Sequence, residues 1–468
     1  MTTTSYLPEH HARAKLMRYD TAVILRRFFF CEQSLIVTQA GWIAAIAPLP
    51  AKTTLARVLW EDSMTANDLR QRVFELRYPS RLMELGDEEP LIKLIDEARN
   101  APSALALFQS LLEVFKPALL TVYQAYLEIA DMIGEGPSLR FIEQAVRDKQ
   151  RQIAMLHELL PMMREAEPEA QAAAAAWVAE LKRRLTALGG VGLDPIGAGQ
   201  GAPQTMPGRR PFALAQIPAR DPRFIPVRYY WPDVIDPTYP YGEGLSLQIR
   251  SAISHLNEVW AIETGGALLH AFADQLGWEF VFDAARWTYD EARHCQMGYE
   301  RLLGWGYELG ELPLGTYIYD AARDQDPIYR LGMLFFFETK NIKKKPERIK
   351  KFTDYADEVS RHDMDFDWAD ETRHAHYGNQ WLTKLLELRA DNPDPRLIRA
   401  RCGELVDTIV EAATDADRLQ LRSTFRCSRI GTWMAAYFSI SLRLKLLRLM
   451  MYRRFSRIAS KHKQPALW

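Results

Sequence analysis

Apolar residues recur at intervals of three and four along most of the chain, the period of helices that bury one face. Leu111, Leu112, Phe115, Leu119 and Val122 form one such stripe, and the unbroken alanines at 172–176 favour helix by propensity. Period-two alternation, the mark of a half-buried strand, is nearly absent, so the pattern predicts an all-α protein. Residues 1–188 read as helices throughout. Residues 189–244 break the pattern, because Gly189, Gly190, Gly192, Gly197, Gly199, Gly201 and Gly208 sit among ten prolines. No regular helix persists through such a stretch, which predicts a long linker. Its Tyr/Trp/Pro-rich part, 228–241, is too aromatic for a bare spacer and is expected to pack over something. Helical periodicity returns in 245–395, in segments near 245–275, 278–305, 325–345 and 347–389, with breaks at Gly277, at Gly310 to Gly315 and at Pro346. Four helices of that length with mostly short connections predict an antiparallel bundle. Residues 396–468 predict two further helices.

Composition narrows the class. The chain has 468 residues, 48% apolar and 25% charged, which excludes a largely disordered, collagenous or multi-span membrane protein. Lys and Arg (59) balance Asp and Glu (60), so no basic excess points to nucleic acid. Four scattered cysteines, Cys31, Cys295, Cys402 and Cys427, with no CxxC, and a polar N-terminal stretch without an apolar leader predict a reducing, cytoplasmic setting.

The chemistry concentrates in 245–395. The motif Asp290-Glu291-Ala292-Arg293-His294 recurs further along as Asp370-Glu371-Thr372-Arg373-His374. Positions i and i+3 share a helix face, so each Glu and its His point the same way. Two such pairs supply four ligands to a pair of metal ions, and two further carboxylates are needed from the preceding helices. Glu263 precedes Glu291, and Glu338 precedes Glu371, each by an interval that fits a turn between two helices. Both lie in apolar runs, where an unpartnered carboxylate is costly. Glu258 competes with Glu263, but on a continuous helix it sits five positions earlier, about 140° round. Its neighbours His255 and Asn257 read as polar surface, so Glu263 is preferred. Singly, each of these residues is more often a solvated glutamate or a structural histidine; it is their joint register that argues for metal.

This doubled Glu…DExRH pattern resembles the ferritin-like di-iron carboxylate proteins, in which two helices each give a Glu and two others each give Glu-x-x-His. The resemblance covers about residues 245–390. It implies a four-helix bundle holding two Fe ions, with Mn or a mixed Fe/Mn pair as alternatives, on Glu263, Glu291, His294, Glu338, Glu371 and His374. It also implies that Asp290 orients His374 and that Asp370 orients His294, with Arg293 and Arg373 pairing to these buried carboxylates. The function implied is an O2-activating oxidase or oxygenase acting on a small-molecule or carrier-bound substrate, supplied by an external electron donor. A non-catalytic metal-binding protein, for iron handling or as a scaffold, is the alternative, and a homodimer is a further expectation. Gly298 and Gly378 each lie one helical turn after the His; they provide either room for substrate or O2, or close helix packing.

The N-terminal part shows a similar spacing. The interval from Glu32 to Glu61 nearly equals that from Glu263 to Glu291, and Met64 stands where a His would. Asp148-Lys149-Gln150-Arg151-Gln152 parallels the second DExRH, with Lys149 and Gln152 in the ligand positions. This half reads as a degenerate copy of the bundle, with Lys149 paired to Glu32, Glu61 or Glu128; chance similarity is the alternative. At the other end, 442–463 carries eight Lys or Arg and no acid. That segment reads as a packed helix, a contact to an anionic membrane surface, or a dock for an acidic partner.

Overall fold

The computed structural model of the chain describes residues 13, 15–196, 206, 208–236, 238–239, 241–390 and 394–427. The basic C-terminal segment lies outside the described residues. The described chain is all-α, apart from one two-stranded sheet with very short strands.

The N-terminal half contains α1 (Arg18–Trp42), α2 (Leu49–Leu76), α3 (Glu89–Glu97), α4 (Ala104–Ser110), α5 (Lys116–Ile129), α6 (Gly136–Ala166) and α7 (Gln171–Ala187). The stripe from Leu111 onward is helical, but Leu111–Phe115 forms a π-helical turn that joins α4 to α5. Ala104–Ile129 is long and apolar enough to cross a membrane, yet its apolar window is mostly buried among protein neighbours. α1 is buried on most of its sides, covered by α2, α3 and α9, and takes Arg27, Glu32 and Gln39 inward with its apolar residues.

The C-terminal half contains α8 (Leu245–Leu256), α9 (Val259–Leu276), α10 (Trp278–Gly304), α11 (Tyr317–Ala321), α12 (Ile328–Asn341), α13 (Lys345–Asp354), α14 (Glu358–Leu388), α15 (Pro395–Glu411) and α16 (Asp415–Cys427). Helices α9, α10, α12 and α14 pack on one another. Two expected helices are each split in the structure. The segment 245–275 turns at Asn257 and Glu258, where the buried Asn257 amide donates to Ile253 O (2.8 Å) and Pro313 O (3.0 Å) and accepts from Gly315 N (2.7 Å). The segment 347–389 breaks after α13, where Ala356 adopts φ 54° and Asp357 caps α14 by accepting from Ser360 N.

The two halves share one core. α1 packs on α9, α2 packs on α10, and a single cluster of buried apolar side chains runs from Ala22 to Leu421. The Gly/Pro-rich segment between them is a strap stitched to both. Asp221 accepts from Leu49 N at the start of α2 (3.0 Å), and Ala219 N donates to Ala44 O (2.9 Å). Ile225–Pro226 (β1) pairs in parallel with Pro313–Leu314 (β2). The aromatic stretch packs inward, as its composition predicts, with Tyr229 and Trp231 fully buried.

Candidate metal centre

The second DExRH lies on α14 and the first on α10, so Glu291 and His294 share one face and Glu371 and His374 another. α12 brings Glu338 alongside. His374 Nδ1 lies 3.1 Å from Glu291 and 3.7 Å from Glu338. His294 Nδ1 lies 3.6 Å from Glu291, which therefore stands between the two imidazoles.

Five of the six residues expected as ligands converge; Glu263 does not. It lies within α9 and accepts from Lys52 of α2 and Arg220 of the strap, forming a buried ion triad that ties the two halves together. Its place is taken by Glu258, 3.3 Å from His294 Nδ1. The angular argument against Glu258 fails because it assumes a continuous helix. Glu258 is the cap residue at a corner, and the pinned Asn257 turns it inward.

Asp367, one turn before Glu371 on α14, also faces the centre, 3.8 Å from His294 Nδ1. It is bonded to Lys345 and lies 3.1 Å from His255 Nε2. His255 and Asn257, expected at the surface, are both buried. Burial, helped by the Arg301 charge, holds the His255 imidazole down to about 3, so it is neutral. Its Nδ1 accepts from Arg301 (2.6 Å) and its Nε2–H donates to Asp367.

The orienting aspartates cross between helices. His374 Nε2 lies 3.5 Å from Asp290, and His294 Nε2 lies 3.3 Å from Asp370. Arg293 bridges both aspartates, as expected. Arg373 does not: it is exposed, and its charge acts on Tyr377 and Asp283. Its expected part falls to Arg286, which donates to Asp290 at 2.7 Å. Burial alone raises a carboxyl pKa, but the bonds from His374 and Arg286 outweigh it and bring Asp290 to about 2.

At the centre itself, burial pushes Glu258 up to about 7, against the opposing pull of His294. Burial and the adjacent Glu338 carboxylate push Glu371 well up. Glu258 Oε2, His294 Nδ1, Asp367 Oδ1, Glu371 Oε2 and His374 Nδ1 are all buried without a hydrogen-bond partner. They face one another at ion-pair distances without well-directed hydrogen bonds, so the cluster concentrates donors that a cation could share. The donor atoms fall into three overlapping groups: Glu258, Glu291 and His294; Glu291, Glu338 and His374; and His294, Asp367 and Glu371. Within each group they lie within 4.8 Å of one another. Carboxylate and imidazole donors without thiolate suit iron, manganese or zinc. Cys295 points away and donates to Leu256 O.

Gly298 and Gly378 open no room. A Cβ on Gly298 would lie 2.3 Å from Leu256 N and 2.4 Å from Ala252 O, so this glycine lets α8 press on α10. Gly378 does the same against Phe335. A cavity of about 360 Å³ reaches the cluster from elsewhere, lined by Glu258, Glu291, Glu338 and Glu371 at its inner end.

In the N-terminal half, Lys149 bonds Glu32 (2.7 Å) and Asp62 (2.5 Å), and Lys116 also bonds Asp62. Glu61 is instead paired with Arg57 and Arg151, while Glu128 and Met64 are exposed. The pairing of Lys149 to Glu32 is as expected; Asp62 takes the part expected of Glu61.

A protein family described as "Protein of unknown function (DUF455)" matches residues 210–413. That span holds the strap from Arg210 onward and every residue of the cluster. No curated protein and no solved structure matches the chain.

Proposed function

We propose that the chain is a ferritin-like di-metal protein that uses O2 to oxidise a small organic or carrier-bound substrate. The observation that carries this reading is the set of five orphaned buried donor atoms around Glu291. One metal would be held by Glu258, Glu291 and His294, the other by Glu291, Glu338 and His374, with Asp367 and Glu371 completing the set. Iron is the reading drawn from the family resemblance, with manganese or a mixed pair as alternatives. When bound, such a pair supplies the redox chemistry that O2 activation requires.

The chain's own part is preorganisation. Asp290 and Asp370 accept from the Nε2–H of His374 and His294, which orients each ring and leaves each Nδ1 facing the centre, where it would bind a metal on giving up its proton. Lys345 supplies an ammonium to Asp367 and Glu371 (3.5 Å to the latter), reducing the repulsion among five carboxylates. Trp260 and Phe337, with ring centroids 5.3 Å apart, form an apolar part of the cavity wall. That cavity favours an oxidase over a non-catalytic iron-handling protein or scaffold, because a purely structural site needs no opening of this size. An external electron donor completes the cycle. Three buried free thiols, Cys31, Cys295 and Cys402, accord with a reducing, cytoplasmic setting.

The test is anaerobic Fe(II) loading followed by elemental analysis and admission of O2. Two irons per chain and rapid O2 consumption are expected. A chain that binds no iron refutes the reading, and two irons without O2 uptake leaves the non-catalytic alternative in its place.

A further inference from the structure

The cavity that reaches the cluster has a second, differently built end. Arg250 of α8 is 7% exposed and lines it. Its Nε and Nη2 engage Asp233 at 3.1 and 3.0 Å, but Nη1 is buried with no partner. Ser251 Oγ and Tyr241 Oη line the same cavity and are likewise buried and unbonded. The guanidinium is framed by the rings of Tyr230, Trp231 and Tyr241, at 5.4, 5.8 and 4.9 Å. Arg348 stacks over Tyr241 at 5.0 Å.

Charge separates the two ends. The four glutamates and Lys345 belong to the metal cluster. The rest of the lining carries Arg250, Lys340, Lys344 and Arg348 against Asp233 and Asp407, a positive excess. Trp260 and Phe337, in ring contact with each other, line the same cavity.

Resting on the di-metal reading, we propose that this cavity takes a small organic anion. Its carboxylate or phosphate headgroup is held by Arg250 Nη1, Ser251 and Tyr241, and its apolar body lies against the paired rings of Trp260 and Phe337 on the way to the metals. A guanidinium with a free N–H matches an oxyanion in geometry and charge, and a buried unpartnered donor is satisfied only by an acceptor that enters. The volume suits a ligand of one aromatic ring plus a headgroup. The apolar walls select against an inorganic anion alone.

The probes are phenyl phosphate, benzoate and the neutral benzyl alcohol. Each is titrated calorimetrically into the full-length protein, metal-free and after loading with Zn(II), with metal content measured on every sample. At least one anion binds about 10-fold or more tightly than benzyl alcohol, as expected for a charge-assisted bond. Arg250→Gln abolishes that preference while benzyl alcohol affinity and metal content stay within about 2-fold. The better anion identifies the headgroup as phosphate or carboxylate. Ser251→Ala and Arg348→Gln each reduce the preference more mildly, and they carry the test if Arg250→Gln does not fold. Equal binding of anions and alcohol, an anion preference that survives in all the folded variants, or no binding in either metal state overturns the proposal. Arg250-dependent anion binding by a chain that takes up no metal would refute the di-metal centre and leave this site standing.

Discussion

Glu258 and Glu263 are close in sequence but differ in their surroundings, so exchanging each for Ala separates metal binding from structure. Glu258 faces His294 Nδ1 at 3.3 Å and has one carboxylate oxygen unbonded, and burial raises its pKa to about 7. Removing it deletes one donor of the Glu258, Glu291 and His294 group but leaves Glu291, Glu338 and His374 complete. Losing even an outer partner of a ligand costs roughly 10–100-fold in metal affinity, so losing the ligand costs more. The expected result is one metal per chain instead of two, at a metal-free stability within about 1 kcal/mol of wild type, since a costly buried carboxyl is gone. Glu263→Ala has the opposite signature. It leaves Lys52 and Arg220 buried without their carboxylate, and breaking a buried pair from one side costs roughly 3–5 kcal/mol. The cost is discounted a little because Lys52 and Arg220 keep their bonds to the Ala219 carbonyl. The assay is elemental analysis after Fe(II) loading, paired with urea unfolding of the metal-free chain. If Glu263→Ala loses a metal while Glu258→Ala keeps both, the reading of the corner at Asn257 is wrong.

Asp290→Asn weakens metal binding by roughly 10–100-fold without emptying the site, because it removes the acceptor that fixes His374; unchanged affinity in a competition titration would make Asp290 a bystander. Asp62→Asn lowers the urea midpoint at pH 7, because Lys116 and Lys149 outweigh burial and hold Asp62 at about 2. A depressed carboxyl stabilises above its unfolded value near ~4 and loses that contribution as pH falls through about 2, so the difference from wild type should close in acid; a gap constant with pH counts against the assignment. Gly298→Ala forces a Cβ to within 2.4 Å of Ala252 O and costs roughly 1–3 kcal/mol, read as a lowered melting temperature; a variant as stable as wild type would restore the alternative of free space there.

What the sequence makes legible is whatever depends on local period. The helices on either side of the strap, both Glu-x-x-His faces and Glu338 follow from spacing alone. The crossing of Asp290 and Asp370 to the opposite histidines is implied by the resemblance to the ferritin-like proteins, not by spacing. Glu258 is hidden because a helix corner resets the angular count, and the corner is made by Asn257 bonding to Pro313 and Gly315, far away in sequence. Arg286 and Arg373 exchange places for a related reason: the former is one turn before Asp290, whereas the latter is turned outward to Tyr377 and Asp283. Asp367 is open to detection from spacing, since it lies one turn before both Asp370 and Glu371, on the inner face. Lys345 sits in a lysine run that reads as solvated, and only the break between α12 and α13 carries it inward.

The two halves offer an internal comparison that bears on the metal reading. Each buries a knot of carboxylates among its helices. In the N-terminal knot the charges are met from within the chain. Glu32 accepts from Tyr123 at 2.6 Å and from Lys149, and Asp62 accepts from Lys149, Lys116 and Gln39. No carboxylate oxygen of Glu32 or Asp62 is left without a partner. In the C-terminal knot, Lys345 serves one side, and orphaned oxygens remain on Glu258, Asp367 and Glu371 beside two orphaned imidazole nitrogens. Lys345 serves only carboxylates, whereas a metal ion would be shared by the oxygen donors and by the imidazole nitrogens once these give up their protons. One buried acidic knot is thus answered with lysines, and on the proposed di-metal reading the other is answered by cations from outside.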